Sequence, residues 1–254
     1  MKLIQSRDNA LFKQLKRLAE SGRERKKAGL TVLDSLHLVE AWETQRAAVN
    51  TLIASETALQ NPEIASYLKN RDFVVLTEGL MREIGIVDTP SGLLGLVEIP
   101  ENNGNPDLSA NAVLLDGVQD PGNLGSLLRT AAAAGIRQVL LSPGCAAAWS
   151  PKVLRAGQGA QFVLEIFEAV DLAAFVARYH GTVAVTCLQD AQSLYSVGWQ
   201  EPLAWVFGAE GQGVRPELIA SADLRLHIPM PGSVESLNVG AAAAVCLFEM
   251  VRRR

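Results

Sequence analysis

The run from Ile228 to Met250 reads I-P-M-P-G-S-V-E-S-L-N-V-G-A-A-A-A-V-C-L-F-E-M. It starts as the end of a strand, bends through Pro229, Pro231 and Gly232, and enters a helix of small and apolar residues. Pro231 fixes φ and Gly232 permits φ > 0, so the pair marks a turn. Ser233 is the expected N-cap, with Ser236 and Asn238 as polar residues at the helix entrance. Gly240 costs the helix about 1 kcal/mol relative to alanine, which implies close approach of a neighbouring element or a ligand. A buried C-terminal helix with a tight entry turn fits the same residues. Two further glycine-rich turns upstream favour the ligand reading.

The first lies in L-L-D-G-V-Q-D-P-G-N-L-G-S-L-L-R-T, Leu114 to Thr130. A strand ends at Asp116, a Pro-Gly-Asn turn follows, and a helix is expected from Leu124 to Ala134, with Asn123 as its N-cap and Arg129 on it. The second is W-V-F-G-A-E-G-Q-G-V, Trp205 to Val214, where a buried strand meets three glycines around Glu210. Glycines this dense after a strand let something approach the backbone closely. Each turn follows an apolar strand, so all three are expected at one edge of a sheet, where ligands of α/β folds bind. The spacing G-x-x-G-x-G at Gly208, Gly211 and Gly213 reverses the dinucleotide fingerprint. No phosphate-binding G-x-x-x-x-G-K-[ST] and no G-x-S-x-G nucleophile turn occur.

Around these turns, strands alternate with helices, which predicts a mostly parallel sheet covered on both faces. A small α/β layer domain is expected over residues 1–99. The stretch 100–110 (P-E-N-N-G-N-P-D-L-S-A) is the boundary, and residues 111–254 form the second domain. With 48% apolar and 20% charged residues in 254, the chain has enough apolar material for full cores. No apolar run is long enough to span a bilayer. Cys145, Cys187 and Cys246 form no C-x-x-C and share no spacing with His37, His180 or His227. They read as small hydrophobes in a reducing, cytoplasmic setting, with no metal site.

Net charge is −4, yet the first thirty residues hold nine basic and three acidic residues, leaving −10 on the remainder. Such asymmetry is a footprint of polyanion binding. Lys13, Lys16, Arg17, Lys26 and Lys27 on this basic arm are the candidate RNA contacts. Ser21 to Gly29 reads as a basic turn within it. Lys152 and Arg155 flank a helix start at Ser150-Pro151 and are further candidates for phosphate contact. A solvated helix face fits both groups as well.

The segments N-L-G-S-L-L-R-T (Asn123 to Thr130), G-A-E-G-Q-G (Gly208 to Gly213) and I-P-M-P-G-S-V-E-S-L-N-V (Ile228 to Val239) resemble, in order, the three motifs of the SPOUT class of RNA 2′-O-ribose methyltransferases, in its TrmH-like branch. Residues 1–99 resemble that family's L30e-like substrate-binding domain. The resemblance implies a trefoil knot in a parallel-sheet α/β domain, a homodimer, and S-adenosylmethionine held near Gly208, Ile228 and Leu237. It implies catalytic roles for Arg129, Asn123, Glu210, Ser236 and Asn238. Arg129 would receive the 2′-hydroxyl. A guanidinium is rarely deprotonated, so it is read as a cation that stabilises developing alkoxide, not as a base. Gly122 and Gly240 depart from the residues common in relatives and leave the substrate open. Ribosomal RNA stands ahead of transfer RNA because relatives acting on tRNA often lack the first domain. A non-catalytic RNA-binding relative and a base methyltransferase on the same scaffold stay open here.

Overall fold

The structure is a computed structural model describing residues 2–86, 90–101, 104–234 and 236–254. Residues 102 and 103 of the expected boundary, and Glu235 of the third motif, lie outside this description. The chain forms two compact units, one of residues 1–101 with 149–162, the other of 102–148 with 163–254.

The first unit begins with β1 (Lys2–Ile4), α1 (Ala10–Glu20), α2 (Gly22–Ala28), β2 (Leu30–Asp34) and α3 (Leu36–Gln45). It continues through β3 (Thr51–Ser55), α4 (Pro62–Leu68), β4 (Phe73–Leu76), α5 (Glu78–Ile84) and β5 (Leu93–Glu98). The sheet order is β1-β4-β3-β5-β2, with β5 antiparallel to both its neighbours. The basic N-terminal segment is no loose arm. The β1 strand pairs with β4. Asn9 caps α1, whose Phe12, Leu15 and Leu18 are buried. The stretch expected as a turn is the helix α2, capped by Ser21 and ended by Gly29 at φ 65°. Arg25 is buried and donates to the Leu18 carbonyl at 2.6 Å. Lys13 pairs with Asp8 at 2.8 Å and Lys16 with Glu83 at 3.0 Å. Arg17, Lys26 and Lys27 are exposed.

The segment 149–162 belongs to this unit, whereas the sequence boundaries place it in the second. It holds α7 (Pro151–Gly157). Thr31 Oγ1 donates to the Trp149 carbonyl at 2.7 Å, and Trp42 meets Phe162 edge-on. Arg155 donates to the fully buried carboxylate of Asp34 at 2.7 Å. Arg155 is thus engaged by a carboxylate of its own unit while staying partly exposed. Lys152 is exposed.

The second unit contains β6 (Ala112–Asp116), α6 (Pro121–Ala133), β7 (Gln138–Leu141), β8 (Glu165–Phe167), α8 (Leu172–Val176) and β9 (Thr182–Thr186). β10 (Gln192–Ser193), β11 (Leu203–Gly208), α9 (Pro216–Ser221), β12 (Leu224–His227) and α10 (Val239–Arg252) complete it. Its seven strands run in the order β10-β12-β9-β11-β6-β7-β8, and every pairing is parallel. The central strands β6, β7 and β11 are buried along their whole length, which is why they read as unbroken apolar runs. Ala204 and Val206 of β11 pack toward Phe175 and Leu218. Trp205 and Phe207 project to the opposite face, fully buried and stacked at 5.9 Å. Each such side chain contributes roughly 1.5–3 kcal/mol of burial, so the sheet is a firm base for the loops at its edge.

Two caps differ from the expected ones. α6 starts at Pro121, and Asp120 accepts from the Asn123 amide at 2.7 Å. Of the two capping residues in D-P-G-N, the one before proline wins because proline suits the first helical position. α10 starts at Val239 and is capped by Asn238, while Ser233 stays in the irregular segment before it.

At the far end of α10, Glu249 accepts from Arg252 at 2.7 Å and from Arg253 at 2.7 Å. Arg253 also donates to the Leu194 carbonyl at 2.9 Å and lies 4.0 Å over the Trp199 ring. The hydrogen bond from Arg252, then that from Arg253, holds the Glu249 carboxyl down at about 2, against an ordinary 4.5. A depressed carboxyl stabilises the fold above its unfolded value and loses that contribution as pH falls through the folded one. The stability gap between the wild type and Glu249→Gln, measured by urea unfolding, should therefore be full at pH 6. It should shrink as pH falls from about 4.5 toward 2. A gap independent of pH would show that the pairing adds nothing.

Candidate active site

Because the sheet is parallel, β6, β9, β11 and β12 deliver their following loops to one edge. Gly208, the last residue of β11, pairs with Asp116, the last of β6. The chain order places β11 between β9 and β6, the kind of switch point where open α/β sheets leave a crevice.

The loop after β11 folds back on itself. Gly213, at φ 67°, donates its amide to the Ala209 carbonyl at 2.7 Å. The backbone of Gly213 and Val214 then covers Gly208 so closely that a Cβ there has no room. Gly208 is thus dictated by close backbone approach, as the glycine density suggests.

Asn238 draws the turns together. Its Oδ1 caps α10 by accepting from the amides of Gly240 at 2.9 Å and Ala241 at 3.3 Å. With the oxygen so engaged, Nδ2 faces outward. It donates to Asn123 Oδ1 at 2.9 Å and to Glu210 Oε1 at 2.6 Å. One side chain therefore links all three motif loops, and Glu210 orients Asn238. Gly240 allows the close packing of α10 on α6, since a Cβ would stand 2.9 Å from Ser126 Oγ. The approach that this glycine implies is to a neighbouring helix.

A cleft of about 720 Å³ opens beside this network, within the range of small-ligand sites. Gly208, Ile228 and Leu237 all line it, as do Glu210, Ser236 and Asn238. Asn123 is not a lining residue and reaches the site through Asn238. Arg129 lies outside the cleft too. It shares a face of α6 with Asn123 and Ser126 at helical spacing, is exposed, and its side chain makes no hydrogen bond or ion pair among the described residues. The wall from Thr186 to Gln189 was not anticipated. It follows β9, and nothing local marks it. Only the adjacency of β9 and β11 brings it to the site. Burial pushes the Cys187 thiol in this wall above its usual range, so it is a protonated, not a nucleophilic, sulfur near neutral pH. Among the described residues no group of three or more His, Cys, Asp or Glu could hold a metal ion.

The model of the SpoU rRNA methylase family matches residues 110–248. A Bacillus subtilis relative, the 23S rRNA (guanosine(2553)-2′-O)-methyltransferase RlmP, is 32% identical over 258 residues, covering 98% of this chain and 99% of its own. The Pseudomonas putida 23S rRNA (guanosine-2′-O-)-methyltransferase RlmB is 34% identical over 212 residues, covering 81% of this chain and 84% of its own. An RNA 2′-O ribose methyltransferase of known structure superposes with a TM-score of 0.85 at 27% identity, covering 99% of each chain. An AdoMet-bound rRNA methyltransferase from Sinorhizobium meliloti gives 0.79 at 27% identity, over 99% and 98%. With the motif loops joined at one sheet edge, and similarity running through both units, the chain belongs to the SpoU rRNA methylase family.

Proposed function

We propose that this chain methylates the ribose 2′-hydroxyl of ribosomal RNA with S-adenosylmethionine as donor. The observation that carries this reading is the Asn238 junction, which ties Asn123 and Glu210 together beside a glycine-walled cleft. The cleft suits the donor. The covered Gly208 leaves backbone groups as the wall, while Leu226, Ile228 and Leu237 offer apolar surface. Gly208, Ile228 and Leu237 would hold it. When bound, it supplies an electrophilic methyl on a sulfonium.

The remaining chemistry belongs to the chain. Glu210 fixes Asn238, and Asn238 fixes Asn123, so the polar rim is set before the RNA arrives. Ser236 sits at the same rim. Arg129, free to turn on its helix face, binds the ribose hydroxyl and stabilises the negative charge that develops on its oxygen. The proton passes to water, since a guanidinium does not accept one near neutral pH. Holding the hydroxyl in line supplies several kcal/mol of the barrier reduction.

The finer architecture goes with the same reading. Residues 1–99, joined by 149–162, act as an L30e-like RNA-binding domain, 100–110 as linker, and the rest of 111–254 as the catalytic domain with a trefoil knot. The protein works in the cytoplasm as a homodimer, and the exposed Phe248 and Val251 of α10 support a partner there. Relatives named for 23S rRNA favour that RNA over tRNA. Titration calorimetry with S-adenosylmethionine tests the reading. Saturable one-site binding is expected, and its absence would leave an RNA-binding relative without donor chemistry.

Of the five basic candidates near the N-terminus, Arg17, Lys26 and Lys27 are exposed and make no ion pair among the described residues, while Lys13 and Lys16 meet Asp8 and Glu83 in surface pairs that RNA phosphates can compete with. Neutralising those three should weaken RNA binding and flatten the slope of log affinity against log salt by roughly two units. An unchanged slope in a filter-binding series would make them a solvated surface only.

A further inference from the structure

Asp116 and Arg215 belong to none of the three motifs in a catalytic sense, and neither lines the cleft. Asp116 closes β6 and is 4% exposed. Its Oδ2 accepts the Arg215 backbone amide at 2.9 Å, and its Oδ1 accepts Arg215 Nε at 2.9 Å. Arg215 Nη1 donates to Glu217 Oε1 at 2.9 Å, in the first turn of α9. Asp116 is also the strand partner of Gly208. One residue therefore holds both ends of the loop after β11: its backbone register fixes the entry, and its side chain fixes the exit.

We infer that Asp116 and Arg215 are a positioning pair that keeps the Gly208–Val214 loop in its cofactor-receiving shape. This loop carries Glu210 and has glycine at 208, 211 and 213. Glycines give a free loop many conformations, and a ligand that orders such a loop loses affinity in doing so. A two-ended tether removes that loss in advance. The carboxylate is nearly enclosed, so its guanidinium partner also keeps it from being a buried unpaired charge. The inference rests on the functional reading above, because it names what the loop must be shaped for.

The test uses the full chain. In Arg215→Met, KM for S-adenosylmethionine and Kd for S-adenosylhomocysteine should rise about tenfold, with kcat at saturating donor within about threefold. Arg215→Lys, which keeps the charge and one hydrogen bond, should recover most of that loss. Backbone amides of residues 209–214 should exchange with deuterium faster in both variants than in the wild type, and more so in Arg215→Met. An unchanged KM, or a fall in kcat alone, would overturn the inference. So would unchanged exchange at 209–214. Should Arg215→Met not fold, Arg215→Lys decides by exchange and KM together. If the wild type bound no donor, the functional reading would fall, while exchange at 209–214 would still decide whether the pair tethers the loop.

Discussion

Arg129→Ala is expected to lower methyl transfer about 10²- to 10³-fold, the usual effect of deleting one charge-stabilising donor, and to leave donor affinity within about threefold. The two halves of this expectation have separate physical grounds. Arg129 is exposed, lines no part of the cleft, and its side chain is held by no hydrogen bond or ion pair among the described residues. Its loss therefore leaves the helix, the Asn238 junction and the donor site as they are. What disappears, on the proposed reading, is a cation at the ribose oxygen. Arg129→Lys should fall between the two, because an ammonium keeps the charge and loses the planar fork. Single-turnover assays with donor calorimetry separate the effects. An alanine variant with most of its activity would remove Arg129 from the chemistry.

Gly208→Ala should abolish donor binding, or weaken it by more than about tenfold, and cost roughly 1–3 kcal/mol of stability through overpacking. The added methyl would lie against the backbone of Gly213 and Val214, which cannot rotate away as a side chain could. The loop must lift, carrying Glu210 off Asn238. Gly198→Ala is the control. It stands in open space, at no positive φ and outside the cleft, so donor affinity should change less than about threefold. Equal affinities in calorimetry for the two variants would mean that the folded-back loop does not shape the site.

Much of the second unit is legible from local signals. The β11 run L-A-W-V-F-G is apolar without alternation because both faces are covered, and it ends where glycines begin. The turns could be ordered along one edge because each follows such a strand. Cap positions were less legible. D-P-G-N contains two capping residues, and S-V-E-S-L-N contains three, so only the fold decides which one starts the helix. Thr186 to Gln189 could not be found locally, since their place depends on β9 lying beside β11. Arg155 illustrates the same limit. A helix-start arginine reads as a phosphate ligand, and nothing local shows that a buried carboxylate 121 residues away also pairs with it. At the N-terminus, charge suggested an arm. The helical stripe that includes Leu15 and Leu18 is legible beside that charge and ties the arm into the first unit, whereas the three-residue strand β1 is too short to show periodicity.

The most direct measurement gives the protein S-adenosylmethionine labelled in its methyl group, together with 23S ribosomal RNA, and then hydrolyses the RNA in alkali. A methylated 2′-oxygen cannot attack the adjacent phosphate, so the label should appear in alkali-resistant dinucleotides and should vanish with Arg129→Ala. Label recovered in mononucleotides would place the methyl on a base, and RNA without label would contradict the assignment of this cleft to methyl transfer.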